Sequence, residues 1–134
     1  MRVLVQIALV AGGSALGGLA RWGAGVAFAR CLGTALPYGT FFINISGSLF
    51  LGWLSTLLAQ RWLPGDHAWL GSDDLRLALA VGFTGAYTTF STFEWETHGL
   101  LRDGEVWAGM LYPIVSVVLG LAAVRLGVVL ARGI

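Results

Sequence analysis

The chain has no lysine, one cysteine (Cys31), three prolines and two histidines, and charged residues make up only 11% of its 134 positions. Each scarcity excludes something. A single cysteine cannot close an intrachain bridge, so a disulfide-stapled secreted domain is out. The eight basic residues are all arginine, scattered singly, and against seven acids they leave a formal charge of +1, which is no electrostatic footprint for nucleic acid. His67 and His98 are far apart, and no Cys–His, Asp–Ser–His or metalloenzyme ligand set is visible, so the chain does not read as an enzyme. What it has instead is apolar surface. Hydrophobic residues make up 57% and the mean hydropathy is +0.79. A soluble domain averages about 45–50% apolar and about 25% charged. A fold this small cannot hide such an excess, so a soluble monomer is not expected. Disorder needs the opposite composition.

A bilayer core about 30 Å thick takes about 20 mostly apolar residues per helix. Four such spans can be read: 3–29, 39–59, one starting near Leu75 and running to about Phe93, and 106–131. Pro37, Pro64-Gly65 and Asp103-Gly104 punctuate the connections. The reading is all-α, a single transmembrane domain over residues 1–134, with no soluble domain expected. The first span is too long for a signal-peptide core, and its glycines have no strand before them, so no nucleotide fingerprint survives. Gly13 with Gly17, and Ser14 with Gly18, read as small-residue pairs that let helix backbones approach. Trp53, Trp62, Trp69, Trp95 and Trp107 fall near span ends, as in an aromatic belt. One side carries Arg2, Arg61, Arg76 and Arg132, the other Arg30 and Arg102, a weak topological bias compatible with insertion both ways.

Polar groups inside spans are expensive and must find partners. The densest set is the stretch from Gly82 to Glu96, with Gly82, Gly85, Thr84, Thr88, Thr89, Ser91 and Thr92. Glycine and β-branched threonine make a poor continuous helix, so a break over Gly85 to Thr89 is expected, with its freed backbone groups in a buried site. Hydroxyls bonded back to their own helix are the bland alternative. A polar lining by Thr88, Thr89, Ser91 and Thr92 is preferred here. Phe90 and Phe93, three apart, read first as core or lipid contact; their positive ring edges facing an anion is the sharper reading. Asn44 either glues helices or lines a pathway, and spacing leaves both open. Arg21 and Glu96, near span ends, read as snorkelling charges. Glu94 and His98 share a helix face and read as a surface pair. Tyr112 and Ser116 share a face of the fourth span, and Tyr112 needs a partner for its hydroxyl.

With these residues in order, the whole chain resembles the Fluc (CrcB) fluoride channels. The resemblance rests on Gly18-Leu19-Ala20-Arg21-Trp22, on Gly39-Thr40 with Ile43-Asn44 and Gly47, and above all on the highly specific string from Gly82 to Glu96. It implies four transmembrane helices with the third broken near mid-membrane, in an antiparallel dual-topology homodimer with two fluoride pathways along its interface. It implies a central Na+ held by the backbone carbonyls of Gly85 and Thr88 from both subunits. It implies a pathway of Asn44, Phe90, Ser91, Thr92, Phe93, Glu96, Tyr112 and Ser116, with Arg21 near an aqueous vestibule. Ala86-Tyr87 and Glu94 depart from the family pattern without removing a motif position.

The residues and the resemblance agree in their physics. A dehydrated halide needs neutral donors and ring edges in place of water, and not a fixed cation that would hold it too tightly. Composition could not choose fluoride; the resemblance does. The expected function is passive fluoride export across the cell (inner or plasma) membrane. The expected partners are fluoride, lipid and a second copy, with no nucleic acid and no other protein required. The rivals are a small multidrug-type proton-coupled exporter, whose first-span carboxylate is missing from residues 3–29, and a non-conducting assembly subunit.

Overall fold

The computed structural model describes residues 2–61 and 71–133, and every described element is helical. Helix α1 runs Arg2–Leu32, α2 Tyr38–Arg61, α5 Phe90–Arg102 and α6 Val106–Arg132. Between α2 and α5 lies one helical run of three segments: α3 (Ser72–Leu75), a π-helical segment (Arg76–Thr84) and α4 (Gly85–Tyr87). Three helices, α1, α2 and α6, are long and apolar enough to cross a membrane. The third expected span is present as two pieces, because the helix stops between Tyr87 and Phe90. The Pro64-Gly65 turn, Trp62 and Trp69 lie outside the described residues.

Helix ends follow local chemistry. Gly33 ends α1 with φ 79°, a left-handed conformation that suits glycine, and its N–H returns to Ala29 O. The Asp103-Gly104 turn ends α5 in a Schellman arrangement. Gly104, at φ 86°, donates to Leu101 O, and Glu105 N–H reaches Leu100 O at 2.9 Å. Arg102 pairs with Asp103 at 2.8 Å, the one ion pair among the described residues. The guanidinium holds the exposed Asp103 carboxyl below the ordinary carboxylate range. The expected Glu94–His98 pair is not made; the His98 ring lies 6.0 Å from that of Trp95.

The packing is inverted relative to a soluble protein. Trp22, Leu16 and Leu121 are exposed, whereas the buried positions include Gly17, Gly52, Gly82, Gly109 and Gly127. In hydrocarbon no hydrophobic force joins helices, so close backbone approach must. A Cβ on Gly13 would run into Ala78 O, and one on Gly17 into Phe83 O, so α1 lies directly on the π segment. Gly82 makes the reciprocal approach to Val10 O, and Ser14 Oγ donates to Gly82 O at 3.4 Å. The second major contact, α2 on α6, is built the same way: Gly52 faces Val124 O and Gly127 faces Leu49 O. Gly18 departs from expectation, since a Cβ there would meet no heavy atom within 4 Å.

Replacing Gly127 by Val forces a branched side chain into the α2 backbone, so the thermal midpoint in detergent should fall, with a cost of about 1–3 kcal/mol or more. Gly18→Ala, on an open face of a helix interior, should not lower the midpoint and should raise it slightly, since glycine costs about 0.5–1 kcal/mol there relative to alanine.

Candidate functional site: a helix break clamped by an asparagine

Thr88 (φ −81°, ψ 162°) and Thr89 (φ −152°, ψ 123°) are extended, so the break falls within the expected stretch and is two residues long. Leaving helical geometry strands backbone groups that lipid cannot satisfy. The Asn44 side chain takes two of them. Its Nδ2 donates to Thr89 O at 3.0 Å and its Oδ1 accepts from Thr89 N at 2.8 Å. Its donor and its acceptor therefore both meet matching backbone groups, which fixes the orientation of the amide. Thr89 then caps α5: its Oγ1 accepts from Thr92 N at 3.3 Å and donates to Thr92 Oγ1 at 2.9 Å.

These diversions free specific carbonyls. In an unbroken helix Gly85 O would accept from Thr89 N, and Thr88 O from Thr92 N. Asn44 holds the first donor and Thr89 Oγ1 the second. Thr84 O, by contrast, accepts from both Thr88 N and Thr88 Oγ1. The hydroxyl of Thr88 is therefore bonded to its own helix, the bland alternative, and does not join a lining as a free donor.

A second polar knot lies one turn along α2. Glu96 accepts from Thr40 Oγ1 at 2.7 Å and from Tyr112 OH at 3.1 Å. Glu96 thus does not snorkel. Its carboxylate is tied to hydroxyls of α2 and α6, and Tyr112 has the partner it needs. The Tyr112 ring packs on Phe93 at 5.2 Å, and Phe93 on Phe90 at 6.0 Å. Phe90 is 70% exposed.

Two open-sided cavities flank the clamp. The larger, about 470 Å³, is lined among others by Arg21, Thr40, Thr89, Thr92 and Glu96. The smaller, about 270 Å³, is lined by Asn44, Ser48, Thr88, Phe90, Phe93 and Ser116, with Thr89 common to both. Ser116 Oγ is buried without a hydrogen-bond partner among the described residues. Ser91 is exposed and lines neither cavity, while Tyr112 borders a separate apolar groove of about 330 Å³. Sequence reasoning places Thr40 only in the Gly39-Thr40 motif and assigns it no role at this site. Its signal was its place four residues before Asn44, on the same face of α2.

A family model described as CrcB-like protein, Camphor Resistance (CrcB), matches residues 8–128, which include the clamp, the knot and both phenylalanines. The chain belongs to the CrcB family. Relatives named Fluoride-specific ion channel FluC are similar over nine-tenths or more of this chain. The protein named Fluoride-specific ion channel FluC of Solibacter usitatus is 45% identical over 124 residues, 92% of this chain and 96% of the relative. Fluoride-specific ion channel FluC 1 of Nitrobacter hamburgensis is 44% identical over 127 residues, 94% of each. The FluC of Synechocystis sp. is 44% identical over 120 residues, 90% of this chain and 87% of that one. With three spanning helices and this family, the chain is a multi-pass membrane protein.

Asn44→Leu removes both bonds to Thr89 and leaves its N–H and C=O unpaired. The destabilisation should be about 1–3 kcal/mol for each group left unpaired. It is read as a fall in the thermal midpoint of the purified protein.

Proposed function

We propose that this CrcB-family chain is a passive, fluoride-selective channel that lets cytoplasmic fluoride leave across the cell (inner or plasma) membrane, and not an enzyme. The observation that carries this reading is the groove beside the Asn44 clamp. Among the described residues it offers an unpartnered Ser116 hydroxyl and two phenyl rings with no charged side chain lining it, in a chain 45% identical to a protein named Fluoride-specific ion channel FluC. Neutral donors and positive ring edges replace part of a small halide's hydration without trapping the ion. Arg21 borders the larger cavity and would draw anions towards the pathway from its vestibule. Thr92 and Glu96 extend the pathway along the larger cavity, Tyr112 joins it through its bond to Glu96, and the exposed Ser91 joins it where a second copy covers it. Tyr112 OH hydrogen-bonds to Glu96, while the buried Ser116 Oγ has no partner among the described residues.

The pathway is completed by a second copy. Phe90, Ser91, Thr92 and Gly85 are exposed in the single chain, and polar groups on such a surface need cover in lipid. An antiparallel homodimer with two pathways along its interface gives that cover, and no other protein partner is required. The carbonyls of Gly85 and Thr88, released from helical bonding, fit a hard monovalent cation such as Na+, with equivalent carbonyls from the second copy. Bound there, Na+ would supply positive charge that holds the two breaks together.

The test is fluoride-electrode efflux from liposomes holding the purified protein. Fluoride should leave, chloride should not, and a pH gradient should not drive fluoride uphill. Phe90→Ile and Phe93→Ile should each slow efflux about tenfold, the rate equivalent of one aromatic contact. Asn44→Asp should impair flux by adding a negative charge. Absence of fluoride flux from the parent would leave a non-conducting subunit as the reading, and uphill movement on a pH gradient would restore the coupled exporter.

A further inference from the structure

Asn44 is not the only residue of α2 that grips the break. The Tyr87 hydroxyl lies 2.9 Å from Ser46 Oγ. The direction of this bond can be assigned. Ser46 has one proton, and its Oγ donates at 2.7 Å to Phe42 O in its own helix. Tyr87 is therefore the donor and Ser46 the acceptor. The ring is held independently of its hydroxyl, by stacking on Phe83 at 5.8 Å and 13°, and Phe83 in turn meets Phe50 edge-on at 6.0 Å. Between these contacts lies Gly47, where a Cβ would collide with the Thr88 methyl and sit 3.3 Å from the Tyr87 ring. Three residues of one α2 turn thus meet three consecutive residues at the break, the last helical one and the two extended ones: Ser46 with Tyr87, Gly47 with Thr88, and Asn44 with Thr89.

We propose that Tyr87 is a positioning residue, whose hydroxyl, given to Ser46, fixes the last helical residue before the break and so fixes where the chain releases its carbonyls. The physical need is plain. The Thr89 N–H has two competing acceptors, Gly85 O in a continued helix and Asn44 Oδ1 in the broken one. Continuing the helix would have to carry Thr88 and Thr89 off α2. Tyr87, tied to Ser46 immediately before them, resists that. The link from this brace to ion flux rests on the channel reading above, including its sodium ion.

Two readouts keep the brace and that reading apart. Tyr87→Phe retains the stacked ring and leaves Ser46 still bonded to Phe42 O, so no buried group is orphaned. Amide hydrogen exchange at Thr89, followed by NMR in detergent, should quicken about fivefold, the factor one neutral hydrogen bond is worth, while α6 amides keep parent protection. In liposomes, the sodium concentration for half-maximal fluoride efflux should rise by about the same factor, with the rate at saturating sodium nearly unchanged. Ser46→Ala removes the same bond from the other side and serves if Tyr87→Phe does not fold. Ser46→Thr, which keeps a hydroxyl, should retain parent values. The double variant Tyr87→Phe with Ser46→Ala should match Tyr87→Phe alone. Parent-like Thr89 exchange in both single variants overturns the brace. A parent that conducts equally well without sodium overturns the cation reading, and the exchange measurement then decides the brace by itself.

Discussion

The structure depends on one exchange of hydrogen bonds: a side-chain amide from α2 stands in for the next turn of a helix. In hydrocarbon a backbone amide without a partner costs several kcal/mol, so a helix cannot simply end there. Asn44 carries a donor and an acceptor at the spacing of a peptide group, and it satisfies both backbone groups of Thr89. The rest follows from that substitution. The chain can run extended through Thr88 and Thr89, α5 restarts on a threonine cap, and Phe90 projects from the surface. The carbonyls of Gly85 and Thr88 lose their helical donors.

Glycine-mediated packing makes such a polar centre possible. The large apolar side chains face outward, and the helices touch through glycines at Gly13, Gly17, Gly52, Gly82 and Gly127. Backbones this close leave little room for side chains between them. The polar groups are instead gathered where α2 meets α5 and α6, around Thr40, Asn44, Glu96, Tyr112 and Ser116. Close packing of α1 on the π segment and of α2 on α6, with open-sided cavities around the Asn44 clamp, thus belong to one arrangement. Hydroxyls and rings join the small residues that line these cavities.

The spans were legible because bilayer thickness sets a length and hydropathy marks it, and the helices begin and end within a few residues of the expected limits. The break was legible because Gly85 and a run of threonines make an unbroken helix poor. The π-helical register was not legible, since nine residues from Arg76 to Thr84 have no periodicity distinct from an α-helix. Its local mark is the Thr84 hydroxyl, bonded five residues back to Leu79 O. The fate of Glu96 was misread for a different reason. An isolated carboxylate near a span end goes to water unless donors reach it. The two that do are 56 and 16 residues away in the chain. No local pattern carries a partnership at those separations.

The residues alone determined that this chain lives in lipid, where its long apolar helices fall, and that the stretch around Gly85 to Thr89 breaks, because these follow from composition and short-range backbone preference. Tertiary structure decided which polar groups meet. Asn44 on Thr89, Tyr87 on Ser46 and Glu96 between Thr40 and Tyr112 are each set by how α2 lies against the break and α6. A hydrogen bond needs atoms within about 3 Å, a condition of helix placement that residue order does not state.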